Sequence, residues 1–352
     1  MRGVVFKGNR RLEVTDFPDP SPGPGEAIVA IKASGLCGSD LRFYRDPPGT
    51  ALSAWGFKNT GAENPAIIAG HEPCGEVAAL GANVDPRSFT VGDRVMVFHY
   101  QGCGVCDLCR TGWTQMCIHG ATIFGANAHG GHAHYIKVPV SSLVPLPAEL
   151  SFSAGAAIAC GTGTAFGAIL RGDIRARDTV AVFGAGPIGQ SVVQFAHVMG
   201  CQVIAVDIAS DRLDSAAKLG AHHVIDSSTT DPVAAIMDIT HGRGATVTVE
   251  TSGADAARTA GTRCLGPWGR IVLVGMSGKL ELDASADLII KQVSVIGSYT
   301  FSSVIMGDCA RYIADRGIDV DWLFTDRWNI EDADRAYKEF DKQARGKAVI
   351  EF

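Results

Sequence analysis

Four cysteines, Cys103, Cys106, Cys109 and Cys117, fall within fifteen residues in the spacing C-x2-C-x2-C-x7-C. A disulfide between residues three apart strains the short loop it closes, so this spacing suits bridges poorly. Four thiolates meeting on one tetrahedral zinc at about 2.3 Å satisfy it without strain. Gly102, Gly104 and Gly112 let the backbone turn around the ion. The expectation is a closed structural zinc site. Such a site offers no open coordination position, so the chemistry of the chain must lie elsewhere.

Three further ligand types stand on glycine-rich turns. Cys37 lies in Gly35-Leu-Cys-Gly-Ser39-Asp40, His71 in Gly70-His-Glu72, and Cys160 in Ala159-Cys-Gly-Thr-Gly-Thr164. Taken singly, the cysteines read as small buried apolar residues and the histidine as one with ordinary partners. Sequence distance alone does not bring them together. His129, His132 and His134 form a small histidine group around Gly130 and Gly131. Their bland reading is a surface group near a β-edge; extra metal binding is the sharper one.

A second chemistry is written between Thr179 and Val206, where 28 positions carry no charged side chain. Length and apolarity invite a membrane reading, but Gly184, Gly186, Pro187 and Gly189 break the run. Thr179–Phe183 reads as a buried strand, and Ile188, Val192, Phe195, Ala196 and Met199 recur at helical spacing. Residues 201–206 read as the next strand, ending at Asp207. In Gly184-Ala-Gly186-Pro187-Ile188-Gly189, two glycines permit a tight turn and close approach of a pyrophosphate. The third lets the helix pack against the strand. Asp207 would accept hydrogen bonds from an adenosine ribose and repel the extra phosphate of NADP, so NAD is expected. Arg212 could line the adenine side.

These segments need a scaffold. A chain of 352 residues exceeds the usual size of a single core, so two domains are expected. Strand-like runs at 247–250, 270–275 and 293–297 alternate with helix-like ones at 211–219 and 254–264. That pattern implies an α/β, doubly wound parallel sheet over residues 150–297. Residues 1–149 hold short β-like runs at 26–33, 75–80, 93–98 and 134–138, punctuated by Pro and Gly. Residues 139–147 look like a crossing into the second domain. A net charge of −6 and the lack of a dense basic run give no reason to expect a nucleic-acid partner. Ten cysteines without a bridge pattern suit a reducing compartment. The N-terminus shows no apolar leader, so a cytoplasmic location is expected.

Together these motifs resemble, nearly end to end, the zinc-dependent medium-chain alcohol and polyol dehydrogenases. The resemblance implies a chaperonin-10-like β-barrel catalytic domain of residues 1–149 and 298–352 beside a Rossmann NAD-binding domain. It implies two zinc ions per chain, Cys37, His71 and Cys160 holding the catalytic one, with Glu72 approaching or intermittently ligating it. Asp40 would orient His71, Ser39 would take the substrate proton, and Thr164 would contact the nicotinamide. Zinc lowers the pKa of bound water from about 15.7 to about 7, and an alcohol responds in the same sense. That is worth up to roughly 12 kcal/mol. One neutral hydrogen bond from Ser39 contributes only about 1 kcal/mol. The metal therefore carries activation, and Ser39 carries the proton away.

Three departures from the family pattern stand out. Arg42 takes the place of a relay histidine; it could meet an anionic substrate or simply be salt-bridged. His134 stands where relatives usually have a glutamate. The segment 45–65, with Trp55 and Phe57, could line the substrate cleft. Rival readings are a threonine-like amino-alcohol dehydrogenase, a zinc-free quinone or enoyl reductase, and a non-enzymatic zinc-binding interaction protein. The family implies a homodimer or homotetramer acting on a small alcohol or carbonyl, with no nucleic acid and no membrane.

Overall fold

Strand Glu26–Leu36 is buried along most of its eleven residues and serves three partners. Its first half pairs antiparallel with Tyr135–Pro139 on one edge, and its second half pairs on that edge with Lys347–Glu351. Pro73–Leu80 pairs along the other edge, where register shifts at 28/29 and 31/33 bend the strand. The resulting sheet runs Phe324–Trp328, Lys347–Glu351, Glu26–Leu36, Pro73–Leu80, Arg94–Val97, Leu143–Pro145. It encloses a core of Ala27, Val29, Ile31, Val77, Val95, Val97, Ile136 and Val138. These coordinates are a computed structural model, which describes residues 1–54, 67–342 and 346–352.

The chain forms two compact units. Among the described residues, one comprises 1–54, 67–163, 301–342 and 347–352, and the other comprises Thr164–Thr300 with Gly346. Residues 139–147 lie inside the first, where Leu143–Pro145 pairs with Arg94–Val97. Helix Phe152–Ile158 follows, capped by the Ser151 hydroxyl. A second apolar cluster in this unit gathers Leu36, Leu41, Tyr44, Ala333, Ala336, Tyr337 and Ile350. It joins the early chain to its C-terminal tail.

The second unit is a six-stranded, all-parallel sheet. Its order is His223–Asp226, Gln202–Asp207, Thr179–Phe183, Ala245–Glu250, Leu265–Leu273, Ser294–Gly297. Numbered along the chain, that is 3-2-1-4-5-6, the doubly wound order expected from the alternating pattern. The uncharged run 179–206 is therefore strand, helix Pro187–Val198 and strand, as its glycines implied. Among the described residues no single helix is long and apolar enough to cross a membrane.

The three glycines of the turn differ in what surrounds them. Gly184 has φ +92°, a conformation that a side chain resists. A Cβ on Gly186 would meet nothing within 4 Å, which leaves that face open to a ligand. A Cβ on Gly189 would stand 1.8 Å from the Gly184 carbonyl oxygen. Gly189→Ala must therefore push the helix off the strand, an overpacking cost of about 1–3 kcal/mol. Urea unfolding should show that loss; a variant as stable as the parent would contradict the close approach.

Candidate active site

Cys37 follows the end of strand Glu26–Leu36, and Ser39 opens the short helix Asp40–Arg45. A serine at that position ordinarily caps its own helix. Here the hydroxyl makes no cap bond and lies instead 3.2 Å from His71 Nε2. His71 and Glu72 precede strand Pro73–Leu80, on a turn that Gly70 permits at φ +86°. Cys160 lies between helices Phe152–Ile158 and Gly161–Arg171. These segments, distant in sequence, bring one ligand atom each from Cys37, His71, Glu72 and Cys160 within 4.8 Å of one another.

Asp40 sits beneath them, fully buried. Its Oδ1 lies 2.8 Å from His71 Nδ1, and its Oδ2 accepts the Cys37 backbone N–H at 2.9 Å. With Nδ1 turned to Asp40, the ring points Nε2 toward the other donors, where a metal would take the place of a proton. Burial works against a charged His71, yet Asp40 and Cys37 outweigh it and raise its pKa well above the usual value. The sulfurs of Cys37 and Cys160 are 3.9 Å apart. The hydrogen bond between them holds Cys37 well below the ordinary thiol range and pushes Cys160 well above it.

Lys347, which sequence reasoning missed, closes the far side. Its Nζ is 2.5 Å from Glu72 Oε2 and donates to the Leu36 carbonyl at 3.2 Å. Both side chains are buried. Burial pushes the Glu72 carboxyl up to about 8 even against the pull of Lys347. Glu72 Oε1 is buried and has no hydrogen-bond partner among the described residues. His99, also unforeseen, packs edge-on to the His71 ring at 5.0 Å and shares a 3.2 Å contact with the Ala159 carbonyl through Nδ1. Two sulfurs, an imidazole nitrogen and an orphaned carboxylate oxygen, all buried, are a donor set suited to zinc.

The second cluster is local. The sulfurs of Cys103, Cys106, Cys109 and Cys117 lie within 4.8 Å of one another. Backbone N–H groups of Cys103 and Cys106 point at the Cys117 and Cys103 sulfurs, at 3.3 and 3.4 Å. Gly104 and Gly112 have φ of +74° and +84°, the turns that the spacing required.

The residues expected to bind the cofactor lie in the other unit. Asp207 ends strand Gln202–Asp207 and accepts from the backbone N–H of Ala185 at 2.6 Å, inside the glycine turn. Arg212 Nη1 is 3.9 Å from the same carboxylate. Pro187 and Ile188 open the helix whose N-terminus faces that turn, and Thr164 is buried in helix Gly161–Arg171.

Other expectations resolve differently. Arg42 pairs with Asp46 at 3.0 Å, the salt-bridged alternative. His132 is not a surface residue: it is fully buried between Ser34 and Tyr337, because residues 131–133 turn inward over Gly70. His129 accepts from the Ile68 N–H and His134 from the Arg2 N–H, so the three rings have separate partners. Among the described residues they form no metal-binding group. Trp55 and Phe57 lie outside the described residues.

Residues 23–148 match the family model for the alcohol dehydrogenase GroES-like domain, and residues 187–314 match that for zinc-binding dehydrogenases. The chain is 36% identical over 359 residues to the zinc-type alcohol dehydrogenase-like protein YphC of Escherichia coli K12, covering 100% of this chain and 99% of that one. It is 28% identical over 333 residues to the sorbitol dehydrogenase of Bacillus subtilis 168, covering 94% and 91%. A solved structure described as a short chain alcohol dehydrogenase from Escherichia coli CFT073, complexed with cofactor NADH, superposes with a TM-score of 0.87. It is 25% identical and covers 100% of this chain and 99% of its own. The chain belongs to the zinc-type alcohol dehydrogenase family. It is an oxidoreductase that acts on alcohols.

The Glu72–Lys347 pair can be tested directly. Removing one partner of a buried pair costs about 3–5 kcal/mol. Lys347→Met in chelator-treated protein should fall at the low end, about 3 kcal/mol, because Glu72 can escape by taking up a proton. Adding Glu72→Gln should recover most of that loss in urea unfolding. A double variant as unstable as the single one would mean that Lys347 acts through packing.

Proposed function

We propose that the protein is a zinc- and NAD-dependent dehydrogenase of a secondary alcohol or polyol. The observation that carries this reading is the convergence of Cys37, His71, Glu72 and Cys160 beside the Ser39 hydroxyl. Cys37, His71 and Cys160 would hold the catalytic zinc, with Glu72 as an occasional fourth donor. Cys103, Cys106, Cys109 and Cys117 would hold a second, structural zinc. Bound at the first site, zinc supplies a Lewis-acid centre that makes a substrate hydroxyl acidic.

The chain's own residues do the rest. Asp40 holds His71 in the tautomer that presents Nε2 to the metal. Lys347 keeps the carboxylate of Glu72 from adding an uncompensated charge to two sulfurs. Ser39, placed 3.2 Å from Nε2 rather than on its own helix, would take the substrate proton while passing its own hydroxyl proton on to water. The turn at Gly184, Gly186 and Gly189, with Pro187 and Ile188 at the helix start, receives the pyrophosphate. Asp207 would receive the adenosine ribose, Arg212 would line the adenine side, and Thr164 would contact the nicotinamide. A carboxylate at the ribose favours NAD over NADP. NADH in the related solved structure supports the same cofactor class.

The deciding experiment is NADH formation across alcohols, polyols and amino alcohols, run on protein whose zinc has been counted. The expected result is two zinc per chain and turnover of a secondary alcohol or polyol with NAD. Fewer than two zinc per chain, or turnover of amino alcohols alone, would overturn the reading. Ser39→Ala should lower turnover about a hundredfold while the zinc content stays at the parent value. Unchanged turnover would remove Ser39 from proton transfer.

A further inference from the structure

Asp40 has a third neighbour, and it comes from the other end of the chain. Tyr337 lies on helix Ala333–Phe340, fully buried, and its hydroxyl donates to Asp40 Oδ2 at 3.2 Å. The Tyr337 hydroxyl oxygen also lies 2.7 Å from His132 Nε2, and His132 Nδ1 lies 2.7 Å from the Ser34 hydroxyl. All four groups are fully buried.

The polarity of this chain follows from its end. A carboxylate only accepts, so Tyr337 uses its one proton on Asp40. Its oxygen must then accept from His132, which places the His132 proton on Nε2. Burial holds His132 down to about 4, so at neutral pH the ring is neutral and Nδ1 is bare. Nδ1 accepts from Ser34. Every member has one assigned direction, and the chain has no slack.

Asp40 in turn touches two of the metal-site residues, the backbone of Cys37 and the ring of His71. A carboxylate held by Tyr337 fixes both together. The Tyr337 ring is separately fixed by packing, edge-on to Phe6 at 4.9 Å and tilted against Tyr44 at 5.5 Å. The hydroxyl and the ring therefore do different jobs. His132 lies so close that a Cβ on Gly70 would stand 2.4 Å from its ring.

We propose that Tyr337, oriented by His132 and Ser34, is a positioning residue for the metal site, holding Asp40 and through it His71 and Cys37. This rests on the reading of Cys37, His71 and Cys160 as a zinc site. Outer partners of metal ligands characteristically change metal affinity about 10–100-fold.

The test is zinc affinity of the full-length protein by competition with a chromogenic chelator. Cys160→Ala identifies the catalytic step by abolishing it. Tyr337→Phe, which keeps the packed ring, should weaken that step about 10–100-fold and leave the four-cysteine step unchanged. His132→Leu should weaken it in the same direction, and His132→Gln, which returns an N–H toward Tyr337, should restore it. Parent affinity at both steps in Tyr337→Phe would overturn the proposal. Equal weakening of both steps, with a lowered melting temperature, would also overturn it in favour of a merely structural tyrosine. If parent protein shows no zinc step that Cys160→Ala removes, the zinc reading itself fails and the proposal falls with it.

Discussion

Two thiols, two carboxyls, a lysine and an imidazole are buried within one small volume, and the first unit is organised around the electrostatic cost of that burial. Each charge taken out of water costs several kcal/mol unless its partners are already in place. The partners are in place here because backbone geometry, not side-chain flexibility, delivers them. Cys37 and Asp40 are joined three residues apart by an N–H to carboxylate bond. His71 and Glu72 share one turn but face different partners, Asp40 and Lys347. Gly35 completes the arrangement, since a Cβ there would stand 2.0 Å from Glu72 Oε2.

That constraint explains why the C-terminal tail returns to strand Glu26–Leu36. Lys347 begins the strand that pairs with Ala33–Leu36, so the sheet itself aims the ammonium at Glu72. Tyr337 lies on the buried face of helix Ala333–Phe340 with Ala333 and Ala336, one turn apart. The site is thus built from residues some three hundred positions apart, as in the Tyr337–Asp40 contact. Its partners Lys347 and Tyr337 arrive only with the tail. The four-cysteine lobe differs, since all of its donors lie within one local loop.

How much of this the sequence discloses follows the same division. The lobe at Cys103–Cys117 and the turn at Gly184–Gly189 are legible because their geometry is local, and each glycine has a job fixed by its neighbours. Asp207 is legible for the same reason, at the end of the next strand. Cys37, His71 and Cys160 carry no local sign that they converge, and only the whole set, read as a family pattern, brings them together. Lys347 looks like the polar start of an ordinary strand, and nothing near it in sequence says that it is buried. Tyr337 left a fainter trace: it shares a helical face with Ala333 and Ala336, and a buried tyrosine needs a partner for its hydroxyl. His132 misleads because Gly-Gly-His-Ala-His reads as an exposed edge, whereas the turn at 131–133 folds its ring inward.

The asymmetry between the two metal-binding groups has a physical consequence. Metal binding stabilises whichever state presents the donors together. In the four-cysteine lobe that state is a loop of fifteen residues, so its zinc would stabilise the loop and little beyond it. At Cys37, His71 and Cys160 the donors are assembled only when strand Glu26–Leu36, the turn at Gly70 and the tail strand are all in place. Zinc there would stabilise the whole first unit, and anything that loosens the tail would loosen the metal. The same chain therefore offers one donor group whose hold on an ion would be local and one whose hold would report on the integrity of the unit. A metal held at the second group would be in place only when Ser39 and Asp40 are already set against His71.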